Sequence, residues 1–137
     1  MPALVVNTLP HASAIIDGML CQLNRHGTRS MACAPLGSAM VEFRQSPFCV
    51  YVREHPFGLL PGIANLYCLD RELCLRWMAA WPEGVGHCVA IVGEEGNELV
   101  VQSASGWIAR LDRLDGRLVG VIGSEGQQGS DGWAELD

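Results

Sequence analysis

Alternation at period two runs through most of the chain. In Asn65 to Trp77, NLYCLDRELCLRW, the positions Leu66 and Cys68, then Leu73, Leu75 and Trp77, alternate with other residues. This is the mark of half-buried strands, and Asp70-Arg71-Glu72 is the polar break between two of them. The same design returns in Trp107 to Val119, WIARLDRLDGRLV, where Leu69-Asp70-Arg71 recurs as Leu111-Asp112-Arg113, forty-two positions on. A fainter echo, Leu23-Asn24-Arg25 followed by His26-Gly27, lies forty-six positions upstream of the first.

Read in order, the chain predicts a succession of strands. Residues 3–6 are a short first strand. From Thr8 the pattern changes: Ala12, Ile15, Ile16, Met19, Leu20 and Leu23 fall on one helical face, Thr8 can cap, Pro10 suits a first turn and Gly27 can end the element. A helix is predicted over residues 10–24. Ile15, Ile16, Gly18 and the Leu23-Asn24-Arg25 echo argue for strand in the same place. Strands follow at 29–34, 39–44 and 48–54. The segments 55–62 and 80–86 are loops, rich in proline and glycine. In the C-terminal third, strands at 87–92, 98–103, 107–111 and 117–122 are joined by short turns into an up-and-down meander, with Asp115-Gly116 as a strong turn signal. After Gly123 the chain reads GSEGQQGSDGWAELD, a flexible acidic tail in expectation, so 1–123 form the predicted domain and 124–137 the tail.

Composition narrows the function classes. At 137 residues the chain is long enough for one domain with a real core. About half the residues are apolar, and the formal charge is −6. That balance argues against a phosphate-binding surface and hence against nucleic acid. All nine basic residues are arginine. No basic-then-apolar leader and no apolar run of roughly 18–20 residues is visible, which points to a cytoplasmic protein without membrane insertion. In that setting the six cysteines read as buried thiols rather than disulfides.

The residues also carry a resemblance. Val100-Val101-Gln102-Ser103, then Gly106, Ile108 to Asp112 and Gly116 to Val119 resemble one blade of a quinoprotein-type β-propeller. Leu66 to Trp77 is similar to the latter half of that unit, with Leu69-Asp70 and the closing Trp77 in place, but with Leu73-Cys74 where the glycine stands. The second copy has Gly120 where the tryptophan stands. The likeness spans roughly residues 47–122 and extends to small bacterial proteins of comparable length. It implies blade-like sheets that bury their faces against one another. It implies no quinone site, since those ligands lie at the axis of a complete ring and none can be matched here. Two clear units and a third are too few to close a ring, so pairing of two chains, a sandwich or an open barrel is expected.

Several constellations bear on chemistry. His87 and Cys88 are adjacent in one strand and point to opposite faces. Cys68 and Cys74 flank a turn, are placed to face each other across it, and with His87 make a conceivable metal or thiol cluster. Closely spaced cysteine pairs of the zinc type are missing, so neither metal nor cofactor is expected. Asp70 and Asp112 are expected to accept hydrogen bonds from the backbone amides that follow them. Ser103 to Gly106 lacks a hydrolase elbow, and Gly84 to Gly86 lacks a phosphate-binding context. The contact candidates are aromatic: Trp77, Trp81 and Trp107, with His55 and Phe57 in the loop 53–62 beside Leu59 and Leu60.

The resulting expectation is a mainly β protein of antiparallel meanders, blade-like four-stranded units packed as a sandwich or open barrel, with one N-terminal helix. Its function is expected to be that of a cytosolic interaction module acting as a homodimer, without catalysis. Open sheet edges with few visible blunting devices motivate the dimer. The runner-up is a small-molecule binder with a pocket between sheet and helix, taking a small apolar ligand. The third reading is a small hydrolase using Cys88 or Cys68 with a histidine.

Overall fold

A computed structural model describes residues 12–57 and 64–123. These form eleven strands: β1 (Ala12–Ile16), β2 (Met19–Leu23), β3 (Arg29–Cys33), β4 (Met40–Gln45), β5 (Val50–Glu54), β6 (Leu66–Leu69), β7 (Leu75–Met78), β8 (Cys88–Glu95), β9 (Glu98–Ser103), β10 (Ile108–Asp112) and β11 (Leu118–Ile122). They make three antiparallel sheets with neighbours in chain order: A (β1–β3), B (β4–β7) and C (β8–β11). No helix occurs among the described residues. The predicted first strand at 3–6 and the tail 124–137 lie outside them.

The helix expected over 10–24 is corrected, since residues 12–23 are the hairpin β1–β2. Ile16 pairs with Met19, which leaves Asp17-Gly18 as a two-residue turn. Both take positive φ, 55° and 78°. Asp-Gly in this conformation twists with the flanking strands, and a helix cannot pass through it. Ile15 and Ile16, β-branched, suit the strand that results. The other predicted strands are all present, with ends shifted by no more than three residues and 98–103 matched at both ends.

One supersecondary unit recurs in each sheet. Asn24, Asp70 and Asp112 open the turn before the last strand, and each side-chain Oδ1 accepts backbone N–H groups that follow: from His26 and Thr28, from Glu72 and Cys74, and from Leu114. These bonds give the turn an alternative to ladder pairing. Three or four residues later comes a left-handed residue: Gly27, Leu73 or Gly116. Leu73, at φ 65°, does without glycine at a site that favours it. Then the register slips by one residue between the last two strands of every sheet, at Ser30, Arg76 and Val119.

The core consists of two seams. Sheet B is covered on both faces, because alternate residues of β5 and β6 point opposite ways. Val50, Val52, Tyr67 and Leu69 meet Leu20, Met40 and Leu73 in the A–B seam. Tyr51, Leu66, Cys68 and Trp77 meet Ile91, Leu99, Val101, Ala109, Leu111 and Val121 in the B–C seam. Strand β4 lies against β1 and β2 on one side and β8 on the other.

The expectation of unprotected edges is also corrected. The three slips just described are bulges on β3, β7 and β11, the last strands of their sheets, and bulges blunt an edge. On β8, the first strand of sheet C, the side-chain amide of Asn65 takes both backbone groups of Cys88: it donates to the carbonyl at 2.9 Å and accepts the N–H at 2.9 Å. Glu42 accepts from the N–H of Ile91 at 3.3 Å, and Arg44 donates to the Ile91 carbonyl at 3.0 Å. On β4 the N–H of Met40 donates to the Gly18 carbonyl at 2.9 Å. On β8 and at the start of β4, backbone groups that edge pairing would use are thus held by neighbouring elements.

Candidate interaction surface

The surface begins with a buried carboxylate. Glu54 ends β5 on the same side as Val50 and Val52, and it is fully enclosed. A charge taken from water needs partners, and here they come from the segment joining sheet A to sheet B. The backbone N–H groups of Leu36, Gly37 and Ser38 donate to it at 2.6, 3.1 and 2.9 Å, and the Ser38 hydroxyl oxygen lies 3.1 Å from it. The Tyr67 hydroxyl completes the shell. Burial by itself pushes the Glu54 carboxyl up, but Tyr67 and the three amides outweigh it and leave the acid below its ordinary range. Burial and the same carboxylate drive the Tyr67 hydroxyl upward.

This cradle fixes what stands above it. His55 follows Glu54 directly; its N–H donates to the Ala39 carbonyl at 2.7 Å, and its carbonyl accepts from the Ser38 hydroxyl at 2.6 Å. The Phe57 N–H donates to His55 Nδ1 at 3.1 Å, and the two rings lie tilted with centroids 5.1 Å apart. Phe57 is nevertheless 78 % exposed, and Leu36 beside the cradle is 44 % exposed. The result is a held aromatic pair and an aliphatic side chain facing solvent, a combination suited to contact rather than to chemistry.

The five predicted contact residues do not form one surface. His55 and Phe57 come together as described. Trp77 is corrected to core: it is buried in the B–C seam, its indole N–H donates to the Arg113 carbonyl at 2.9 Å, and a Cβ on Gly116 would lie only 2.4 Å from its ring. Trp81 and Trp107 are half-buried against that same core. Trp81 donates its indole N–H to the Gly86 carbonyl at 2.6 Å, within its own loop. Glu54 and Leu36 were missed. The available signal was a carboxylate on the apolar parity of β5, where a solvated charge does not belong.

The thiol readings change as well. Cys68 lies opposite Trp77 and is buried, whereas Cys74 is exposed, so the two do not face each other across the turn. His87 is exposed while Cys88 is enclosed. Burial pushes the Cys68 thiol up and the Cys88 thiol up to about 12, which leaves neither as a ready thiolate. Among the described residues, no three His, Cys, Asp or Glu side chains converge as a metal site would require. With residues 12–23 a hairpin, the pocket expected between sheet and helix has lost its helical wall. No helix among the described residues is long and apolar enough to cross a membrane. Comparison of the chain with protein-family models and with curated proteins finds no match.

Proposed function

We propose that the protein is a cytosolic interaction module without catalytic activity, and that it pairs with a second copy of itself through the Leu36–His55–Phe57 surface. The observation that carries this reading is Phe57: an aromatic side chain 78 % exposed, yet held by its own N–H and by the His55 ring. Ordering a contact residue before binding lowers the entropic cost of association. The Glu54 cradle does the same for Leu36. Two-fold pairing lets one such patch meet its own copy, and a stable pair needs roughly 1,200–2,000 Å² buried in total. The cytosolic assignment rests on cysteines that are all unpaired.

The blade-like reading belongs here too. It is supported by three face-packed antiparallel sheets with one recurring turn, and by Trp77 of one unit seated on Gly116 of the next. Blade-like stacks serve most readily as rigid platforms for contacts.

Light scattering at micromolar concentration tests the pairing. The expected mass is about twice 14.8 kDa for the native chain. The Phe57→Ala variant is expected to run as a folded monomer, with a melting temperature that no longer rises with protein concentration. A native chain that is monomeric at that concentration refutes the pairing. So does a Phe57→Ala chain that stays dimeric.

A further inference from the structure

We propose that the outer edge of β1 is a strand-acceptor site, and that residues 3–6 of the same chain occupy it as an antiparallel fourth strand of sheet A. Sheets B and C have four strands each, whereas sheet A has three among the described residues. The recurring turn identifies the place left over. Asn24, Asp70 and Asp112 open the turns before β3, β7 and β11, so these strands are equivalent. Counting back, β2 corresponds to β6 and β10, and β1 to β5 and β9. Sheet A therefore lacks the counterpart of β4 and β8, whose place is beside β1.

The register fixes which backbone groups face that place. Ile16 and Met19 close a two-residue turn and so exchange backbone bonds. The equivalent pairs are bonded in the same way: the Glu54 N–H donates to the Asn65 carbonyl at 2.8 Å, and the Ser103 N–H to the Trp107 carbonyl at 2.8 Å. Bonded pairs alternate along an antiparallel ladder, so Ala12 and Ala14 also bond to β2. Ser13 and Ile15 then direct their N–H and C=O groups away from it, toward the open place. Their equivalents in sheet B, Tyr51 and Arg53, lie opposite Arg44 and Glu42 of β4. In sheet C, Val100 and Gln102 lie opposite Gly93 and Ala90 of β8. An edge with such groups is a template for one more strand.

The adjoining chain supplies the occupant. Ala-Leu-Val-Val at 3–6 is an unbroken apolar run, half of it β-branched, which suits a strand. Residues 7–11 leave five positions for the connection, with Asn7, Thr8 and Pro10 as turn formers. The corresponding connections are the four residues 46–49 and the two residues 96 and 97, and all three lengths are usual for hairpins. A tethered segment meets the edge at a roughly millimolar effective concentration, well above that of a second copy in dilute solution. The site is separate from the Leu36–His55–Phe57 surface and does not depend on pairing through it.

Amide hydrogen exchange of the full chain, read residue by residue by NMR, tests the assignment. The Ser13 and Ile15 amides are expected to exchange as slowly as those of Ala14 and Ile16, within about tenfold. Cross-strand proton contacts between residues 3–6 and 12–16 are expected in the same sample. Val5→Pro combined with Val6→Pro removes backbone donors of both parities. It is expected to speed exchange at Ser13 and Ile15 by about a hundredfold, while Ala14, bonded to β2, changes by less than about tenfold. Phe57→Ala is expected to leave all four amides unchanged, which separates this site from the pairing surface. Fast exchange at Ser13 and Ile15 in the native chain would overturn the proposal. So would protection that survives the two prolines, or protection that grows with protein concentration, which would give the edge to a second copy.

Discussion

The two seams of this molecule bury similar apolar residues but are locked differently. The A–B seam is built mostly from aliphatic residues, Leu20, Met40, Val50, Val52 and Leu69, with Tyr67, and its polar lock is one enclosed carboxylate, Glu54, with four donors. In the B–C seam an aromatic sits on a glycine, Trp77 on Gly116. Its polar groups are spread out: the Tyr51 hydroxyl donates to Glu94 at 2.7 Å and accepts from Arg113 at 3.0 Å, and Arg113 lies 3.2 Å from Glu94. Asn65, Glu42 and Arg44 hold β8 besides. Concentrating the polar lock in one ionised group makes the A–B seam sensitive to pH. Distributing it makes the B–C seam depend on shape.

That contrast is broken most severely at Trp77. Trp77→Ala removes an indole from a packed seam and orphans its bond to Arg113, and should cost about 3–5 kcal/mol in urea unfolding. A loss below about 1 kcal/mol would mean the B–C seam does not depend on this contact.

Glu54→Gln comes next, at about 2 kcal/mol, because the carboxamide keeps one acceptor oxygen among several donors and loses the charge. The pH dependence separates the seams. Glu54 is held below its ordinary 4.5 when folded, so the unfolded chain binds the proton more readily. Its contribution is complete above 4.5 and is lost as pH falls through the lower folded value. Acid titration of stability should therefore fall less steeply below 4.5 for Glu54→Gln than for the native chain. Parallel curves would remove the carboxylate from the account of the A–B seam.

The smallest effect belongs to Arg117. Its ion pairs with Asp112 and Asp115 measure 3.8 and 3.9 Å, and its side chain is 70 % exposed. Arg117→Ala should change stability by less than about 0.5 kcal/mol. A larger change would show that the turn of sheet C, rather than the seam, carries stability there.

How much of this was legible follows from range. Strand alternation and the Asn or Asp turn are decided by neighbours two to four residues apart, through backbone sterics and side-chain bonds to nearby amides. The sequence alone therefore determined the strands from β3 onward, the meander of sheet C, the recurring unit and the roles of Asp70 and Asp112. Residues 12–23 satisfied the helical and the strand period together, and the Asp17-Gly18 turn decided between them. Only the tertiary structure decided that Trp77 belongs to a seam, since its partner Arg113 lies 36 positions away. It likewise decided that Glu54 is enclosed by amides 16 to 18 positions upstream, and that the β8 edge is covered by the side chains of Glu42, Arg44 and Asn65. Burial of a charge or an indole depends on which faces meet. Face-to-face packing of sheets leaves no period in the sequence, because any apolar face of suitable shape can supply the other half.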